Sequence, residues 1–435
     1  MRLKSLKQDK LALQGVGPRP AGTGGNGSIA ARRTYGALRF LVNLSICAAV
    51  ASSALAQDSD AVVKAVQMER TVSLPRTKFY EVSPSELHGD PGTLIRSEHF
   101  GGYALGGDVD AVRILYRSRS QLDHETAATA VVIVPKRTAP QGGWPVLVWA
   151  HGTTGVATQC APSLTTEVGY YTTQLVKEGL QRNFAVVAVD YSGLGTDGHH
   201  EYLWKVANAN DVAYVAAPAR AAVSSLAPKW VAIGHSQGGQ AVWGLAEKMA
   251  TLKDSTYKGA VALAPGVDSR PLVEHAANTP DAIFYLVYVA FGIKAVYPTY
   301  EPKEMLQPTG ADNYQRLTTQ GCWDLAEALF QPVKPGTVLR KDWAKDPDVQ
   351  KFFASNQVGQ KPIAGPLFIA SGDTDTAVPA TIVKNRARDA CRLGGTIKYK
   401  MYPGDHDTMV KSSYPDQMQW IMDRFQDRPA PRECP

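Results

Sequence analysis

The sequence predicts an α/β protein with a mostly parallel β-sheet flanked by helices and an inserted helical cap. Short apolar runs rich in β-branched residues alternate with helical stretches along much of the chain. This alternation is typical of parallel strands that connecting helices bury on both faces. Several of the runs end in loops that carry Gly with Ser, His or Asp. Functional groups collect at the carboxyl ends of parallel strands, so these loops predict the position of a site.

The predicted strands are short apolar runs that end at turn residues or at a proline such as Pro135. The predicted helices lie between them and have longer, mixed apolar and polar patterns. We predict strands over 111–116, 127–134, 146–150, 184–189, 230–233, 260–264, 366–370 and 396–401, and helices over 167–178, 207–225, 240–251, 381–393 and 415–425.

The alternation of strands and helices stops between residues 267 and 361, where aromatic residues cluster, and then resumes. We interpret this segment as a cap inserted into one main domain, which comprises residues 106–266 and 362–435. Residues 57–105 carry scattered Pro and Gly and predict an irregular N-terminal arm. Residues 1–56 are interpreted as a leader segment.

The leader has the pattern of a signal peptide. Basic residues up to Arg39 precede an apolar stretch over 40–55, which ends in the small-residue pattern Ala54-Leu55-Ala56. This pattern predicts cleavage before Gln57 and a secreted or periplasmic protein. An uncleaved membrane anchor is the alternative, and the Ala-x-Ala site favours cleavage. A partial twin-arginine pattern at Arg32-Arg33 leaves the export route open.

Charge excludes one class of partner. The whole chain has 46 basic and 40 acidic residues, and the leader holds eight of the former and one of the latter. Its removal leaves 38 basic residues (46 minus 8) and 39 acidic ones (40 minus 1), a formal net charge of −1. The mature chain therefore has no excess of basic residues that would indicate nucleic-acid binding.

Four cysteines remain after the leader: Cys160, Cys322, Cys391 and Cys434. An even number in an exported chain predicts two disulfides, and the spacing leaves all three pairings open. No CxxC or His-rich spacing suggests a metal site, so no metal is predicted.

The strongest motif is Gly-His-Ser-Gln-Gly at residues 234–238, a match to G-x-S-x-G. It lies between a predicted strand and a predicted helix, which is the context in which a sharp turn exposes a serine hydroxyl. Ser236 is the predicted nucleophile. The amide of Gln237, at the N-terminus of the helix, is predicted to stabilise an oxyanion.

A serine nucleophile needs a base and an acid, and in this motif's context they follow the serine in the order acid, then histidine. His406 follows the last predicted strand and is the only histidine after the cap, so it is the predicted base. Asp373 and Asp375 both follow the strand 366–370. We favour Asp375 because Asp-Thr-Ala-Val-Pro at 375–379 fits a D-x-x-V-P arrangement found in many hydrolases with this order.

A second oxyanion donor should lie in the loop after the strand 146–150. The loop reads His-Gly-Thr-Thr-Gly at 151–155, and the amide of Thr153 is the predicted donor. His151 is interpreted as structural. Asp190 precedes the serine in the chain, so it is not predicted to be the acid.

At these residues the sequence resembles the secretory lipase family of α/β-hydrolases. The resemblance runs from about residue 75 to the end and includes the 151–155 loop, Cys-Ala-Pro-Ser at 160–163, the serine motif and the Asp375 and His406 segments. It implies carboxylic ester hydrolysis with an acyl site formed by the cap, and it implies the disulfides Cys160–Cys322 and Cys391–Cys434. The chain departs from fungal members at Gln237, where they usually have glycine, and in its cap.

The predicted function is a serine carboxylic ester hydrolase that works through an acyl-enzyme and needs no cofactor. We predict that the substrate is a small-molecule or lipid ester, that the cap contacts a lipid interface transiently, and that the protein is a monomer. A serine peptidase or amidase on the same fold is the alternative, and the apolar cap counts against it. A non-catalytic binding protein is a further alternative, which the complete set of three residues disfavours.

Overall fold

A nine-stranded sheet organises the computed structural model, which describes residues 58–435. The strand order is β1-β2-β3-β5-β4-β6-β7-β8-β9. The strands are β1 (Leu94–His99), β2 (Val109–Arg119), β3 (Glu125–Pro135), β4 (Trp144–Ala150), β5 (Ala185–Val189), β6 (Leu226–His235), β7 (Tyr257–Leu263), β8 (Leu367–Gly372) and β9 (Ile397–Tyr402).

Strands β4 to β9 pair in parallel, whereas β1, β2 and β3 form an antiparallel extension that meets β5. The chain moves from β4 to β5 on one side and then returns to β6 on the other side of β4. Because the order reverses there, the loops that follow β4 and β6 meet at one edge of the sheet. Ala150, the last residue of β4, pairs with Gly234, the second-to-last residue of β6.

Fourteen α-helices connect and cover the strands within residues 58–435. They are α1 (Asp60–Val72), α2 (Pro84–Leu87), α3 (Thr172–Arg182), α4 (Lys205–Ala213), α5 (Ala216–Ala222), α6 (Gln237–Leu252), α7 (Ser269–Ala276), α8 (Tyr285–Val296), α9 (Pro308–Thr319), α10 (Trp323–Phe330), α11 (Pro347–Ser355), α12 (Ala380–Arg392), α13 (Thr408–Ser412) and α14 (Tyr414–Phe425).

The sheet has an apolar core on each face. Along β5 every residue is buried, and alternate side chains belong to the two opposite cores, such as Val187 on one side and Val186 on the other. A strand covered on both faces reads as a continuous apolar run, which is why the central strands were recognisable in the sequence. The predicted fold class, a mostly parallel sheet flanked by helices, is confirmed.

Two predicted helices differ from the observed ones. The predicted helix 207–225 is two helices, α4 and α5, because Pro218 has no N–H to donate and its ring excludes the carbonyl of Tyr214. The predicted helix 167–178 begins only at Thr172 and runs to Arg182. Val168 and Tyr171 have positive φ angles of 56° and 65°, which prevent an earlier start.

The N-terminal arm is more regular than predicted. Residues 57–105 were expected to be irregular, but within 58–105 the structure has the helix α1 and the edge strand β1. Ser59 caps α1, and β1 extends the antiparallel end of the sheet by pairing with β2. The predicted leader, with its cleavage site before Gln57, lies outside the described residues.

Between β7 and β8 the chain leaves the sheet, and we call residues 267–361 the inserted segment. It contains helices α7 to α11 and contributes most of a third apolar cluster, centred on α8. The run 282–289, which is too apolar for a solvated loop, is buried here except for the half-buried Tyr285. No helix within residues 58–435 combines the length and hydropathy needed to cross a membrane.

Two disulfides link distant parts of the chain: Cys160–Cys322 and Cys391–Cys434. This is the pairing that the family resemblance implied. The first bond joins the segment after β4 to the N-terminus of α10, and so ties the inserted segment to the sheet edge. The second holds the C-terminal residues against the end of α12.

Candidate active site

Ser236 occupies a strained turn between β6 and α6. Its φ of 57° and ψ of −114° lie outside the regions that most residues adopt. The turn requires glycine on both sides. A Cβ at Gly238 would overlap the carbonyl oxygen of Ala150 in the neighbouring strand, and a Cβ at Gly234 would overlap the carbonyl oxygen of Gly238. The serine is therefore held at the carboxyl edge of the sheet by close packing of backbone.

His406 and Asp375 form a buried pair. The Nδ1 of His406 lies 2.7 Å from Oδ2 of Asp375, and the Asp375 side chain is fully buried. The other carboxylate oxygen of Asp375 accepts hydrogen bonds from the amides of Ala377 and Val378 at 2.9 and 2.8 Å. Both oxygens of the Asp375 carboxylate therefore have hydrogen-bond partners, which fix its orientation toward the imidazole.

Asp373, the competing candidate for the acid, has a different role. Its side chain is exposed, and its Oδ1 accepts from the amide of Gly404 at 2.9 Å. It therefore closes the turn that precedes His406 and does not contact the ring. Of the two carboxylates that the sequence left in competition, the structure brings only Asp375 against His406.

Opposing effects set the pKa of His406. Burial on its own lowers it, whereas the negative charges of Asp375, Asp407 and Asp405 raise it, as does the hydrogen bond to Asp375. The net result is a pKa above the ordinary value for histidine. As the pH falls, a histidine with a raised pKa becomes protonated at a higher pH than an isolated imidazole does, and it can then no longer accept a proton.

Ser236 and His406 line one cavity, which encloses about 650 Å³ of empty space including a part open to solvent. Its walls come from the loops after strands β4 to β9 and from the inserted segment. Most of the lining side chains are apolar, which is typical of sites for small organic ligands. The apolar lining includes Leu203, Leu272, Val273, Ala276, Ala282, Leu286, Val289, Phe352 and Val378.

Gln237 begins helix α6, next to Ser236, and its side chain is anchored away from solvent. Its Nε2 lies 3.0 Å from Oδ1 of Asn208 and 2.8 Å from Nε2 of His200. Burial lowers the pKa of His200 to about 3, so its ring is neutral and its Nε2 can accept. The network holds the start of the helix, where the amide of Gln237 is free of a helical partner.

Thr153 lies in the loop after β4 and lines the same cavity. The loop is fastened at three points: Tyr191 donates to the carbonyl of His151 at 2.9 Å, the Trp323 amide donates to the carbonyl of Thr154 at 2.9 Å, and the Thr154 hydroxyl donates to the carbonyl of Cys160 at 2.8 Å. A Cβ added to Gly152 would sit 3.4 Å from that of Ser236, so the loop backbone runs beside the serine.

His151, which was interpreted as structural, and Asp190, which was not predicted to be the acid, are both buried. His151 is buried, its Nδ1 lies 2.6 Å from the carbonyl oxygen of Gly152, and burial lowers its pKa to about 4. Asp190 accepts from the Thr129 hydroxyl and the Ser163 amide at 2.6 and 3.0 Å. Both side chains brace the segments that flank the site.

Sequence reasoning missed two residues at the site. Tyr202 lines the cavity, and its hydroxyl lies 2.8 Å from Oγ1 of Thr153. His235, next to the serine, reaches the carbonyl oxygen of His406. No pattern marks Tyr202 in the sequence. His235 stands inside the serine motif, at a position where the motif allows any residue.

No group of three or more His, Cys, Asp or Glu side chains within residues 58–435 is arranged to hold a metal ion. The groups around this apolar cavity are the Ser236 hydroxyl, the imidazole–carboxylate pair of His406 and Asp375, and backbone amides.

The fold and this arrangement define the class of protein. The model of the alpha/beta hydrolase family matches residues 146–408, and the chain belongs to that family. A comparison with curated protein sequences found no match.

Solved structures show the same fold. The X-ray structure of Candida antarctica lipase A in its closed state has 16% identity and a TM-score of 0.71, with 82% of this chain and 88% of that chain covered. The rice cell wall degrading esterase LipA from Xanthomonas oryzae has 16% identity and a TM-score of 0.60, with 78% and 98% covered. The resemblance to lipases that the sequence indicated is thus confirmed at the level of the fold.

Proposed function

We propose that this chain is a serine hydrolase of carboxylic esters that works through an acyl-enzyme. Ser236 attacks the ester carbonyl while His406 takes its proton, and Asp375 holds the imidazole and stabilises its protonated form. The amides of Gln237 and Thr153 hold the oxyanion. His406 then returns the proton to the leaving alcohol, and water repeats the sequence to release the acid.

One observation carries the proposal: the strained Ser236 and the buried His406–Asp375 pair come together on one mainly apolar cavity. A peptidase needs charged groups that hold the termini or backbone of a peptide. The lining contains no Asp, Glu, Lys or Arg, so the described cavity favours an uncharged acyl chain over a peptide.

The inserted segment is proposed to act as a cap that forms the acyl site. Helix α8 supplies Tyr285, Leu286 and Val289 to the cavity, and α7 supplies Ala276 among others. Transient contact of this cap with a lipid surface is part of the proposal, and so is a monomeric state.

Export is proposed from the leader pattern in residues 1–56 and from the two disulfides, which persist in oxidising compartments. Mass spectrometry of the protein from its native host would test this. A mature protein that begins at or near Gln57 and takes up no alkylating reagent before reduction is expected, whereas retention of residues 40–55 would contradict it.

The catalytic proposal is tested by hydrolysis of p-nitrophenyl esters with acyl chains of increasing length. The wild-type protein should turn over short to medium esters. Ser236→Ala should lower kcat by several orders of magnitude while the melting temperature stays near that of the wild type. A Ser236→Ala protein that keeps the wild-type rate would rule out this mechanism.

A further inference from the structure

The side chains of Thr153 and Tyr202 form a hydrogen-bonded pair of hydroxyl groups. The proposed oxyanion site uses the backbone amide of Thr153 and neither of these hydroxyls. The two hydroxyl oxygens lie 2.8 Å apart, and both residues line the cavity that holds Ser236. Tyr202 is 2% exposed, so its hydroxyl is shielded from bulk water. A buried hydroxyl needs a partner for its hydrogen, which makes the direction of this hydrogen bond informative.

Each hydroxyl brings one hydrogen, and only one of them lies between the two oxygens. If Thr153 donated, the hydrogen of Tyr202 would need another acceptor, and among residues 58–435 the hydroxyl of Tyr202 has Thr153 as its hydrogen-bond partner. If Tyr202 donates, its hydrogen is satisfied and that of Thr153 remains free. The phenol is also the more acidic of the two hydroxyls, so donation from Tyr202 is the favoured direction.

The free hydrogen of Thr153 then has the cavity to point into. The loop that carries Thr153 runs beside Ser236 and is fixed by the hydrogen bonds at His151 and Thr154 and by the Cys160–Cys322 disulfide. A donor held in advance by such a frame requires little reorganisation when negative charge develops on the substrate oxygen.

We infer that the Thr153 side-chain hydroxyl, and not only its amide, donates a hydrogen bond to the substrate oxyanion, and that Tyr202 is a positioning residue that orients this hydroxyl. The inference rests on the proposed function. Tyr202 acts through Thr153: it donates to Oγ1, which turns the Thr153 hydrogen toward the reacting carbonyl and polarises the O–H bond. No proton is transferred in this step.

The test compares isosteric variants on a medium-chain p-nitrophenyl ester. Thr153→Val removes the hydroxyl and should lower kcat by about a hundredfold or more, with KM changed far less, because the bond forms in the transition state. Thr153→Ser keeps the hydroxyl and should stay within about threefold of the wild type. Tyr202→Phe should lower kcat by about tenfold. Tyr257→Phe removes another buried tyrosine hydroxyl, one without a partner in the described chain, and should not change kcat.

A double variant shows whether Tyr202 acts by orienting the Thr153 hydroxyl or only by packing in the cavity wall. If Tyr202 acts only through the Thr153 hydroxyl, Tyr202→Phe should cost nothing further in the Thr153→Val background. A second readout is inhibition by an alkyl trifluoromethyl ketone, which forms a tetrahedral oxyanion adduct with a serine. Its inhibition constant should rise by the same factor by which Thr153→Val lowers kcat/KM.

The outcomes are distinguishable. If Ser236→Ala abolishes activity but Thr153→Val keeps kcat within about threefold of the wild type, the inference is wrong and the proposed function stands. Additive losses in the double variant, or a Thr153→Ser protein as impaired as Thr153→Val, would also overturn it. If Thr153→Val does not fold, the tyrosine variants decide the question. Equal kcat values for Tyr202→Phe and Tyr257→Phe would then overturn the inference. Hydrolysis that does not depend on Ser236 would refute the proposed function itself.

Discussion

The Nε2 of His235 lies 2.9 Å from the backbone carbonyl oxygen of His406, so the residue before the candidate nucleophile donates to the residue that carries the candidate base. Their rings also pack together, with centroids 4.6 Å apart. Burial, and then repulsion by His406, lower the pKa of His235 to about 4, so its ring is neutral near pH 7. Donation from Nε2 leaves Nδ1 unprotonated. The His235 side chain thus links the end of β6 to the loop that follows β9.

Removing this link should impair catalysis without removing any reacting group. We expect His235→Leu to lower kcat by about ten- to a hundredfold, because a small displacement of the base from the serine is costly. His235→Gln can still donate from its amide and should retain more activity than His235→Leu. Steady-state kinetics with thermal melts would check this. Equal kcat values for His235→Leu and the wild type would show that the loop is held by other contacts.

The two carboxylates near His406 should differ sharply in their effect. Asp375→Asn places an amide against Nδ1 and should lower kcat by about 10⁴-fold, because the imidazole is then held in the wrong tautomer. Asp373→Asn is the matched control. It keeps an oxygen for the Gly404 amide and should change kcat by less than about fivefold, as surface changes do. A larger loss for Asp373→Asn than for Asp375→Asn would reverse the assignment of the acid.

The pH profile should reveal the charges around the base. His406 must be neutral to accept a proton, so kcat/KM should fall as the pH falls through its raised pKa. Asp407→Asn removes one of the charges that raise this pKa, yet retains the oxygen that accepts from Tyr171 at 2.9 Å. The acid limb of the profile should therefore move to lower pH. Asp373→Asn should leave it in place, and an unmoved limb in Asp407→Asn would contradict this electrostatic account.

Substrate length should report the size of the cavity. Each methylene buried in an apolar wall contributes about 0.8 kcal/mol, so kcat/KM should rise about fourfold per carbon until the cavity is full and then fall. Ala276, on α7, lines the cavity, and Ala276→Leu should shorten the preferred acyl chain. Ala354→Leu, at an exposed position of α11, should not alter the preference. A flat profile, or activity on acetyl esters alone, would remove the acyl cavity from the account.

The two disulfides should affect different properties. Replacing Cys391 and Cys434 by serine opens a link across 43 residues and should lower the free energy of unfolding by about 4 kcal/mol, with little change in kcat of the folded protein. Replacing Cys160 and Cys322 by alanine should lower kcat as well, because that bond holds the Thr153 loop against α10. Urea unfolding and ester kinetics measure the two effects. Unchanged kcat in the second variant would mean that the hydrogen bonds alone hold the loop.

The sequence was sufficient for features that local chemistry determines. The central strands are buried on both faces and read as unbroken apolar runs, and the Gly residues around Ser236 mark a turn that other residues could not form. The prediction of one helix over 207–225 was wrong because we gave the alanine-rich composition more weight than Pro218, which interrupts the helical hydrogen bonds. The prediction of an irregular arm was wrong because β1 forms a strand by pairing with β2, and the residues of β1 alone do not predict that pairing.

By itself the sequence determined that Ser236, an aspartate and His406 follow β6, β8 and β9 in that order, because chain order and strand-to-loop transitions are properties of neighbouring residues. Only the tertiary structure decided which carboxylate meets His406, since Asp373 and Asp375 are two positions apart and the turn aims them differently. It also decided the contacts of His235 with His406 and of Tyr202 with Thr153, which are 171 and 49 residues apart in the chain. Contacts of this kind form where loops from separate strands converge, and that convergence follows from the packing of the whole sheet.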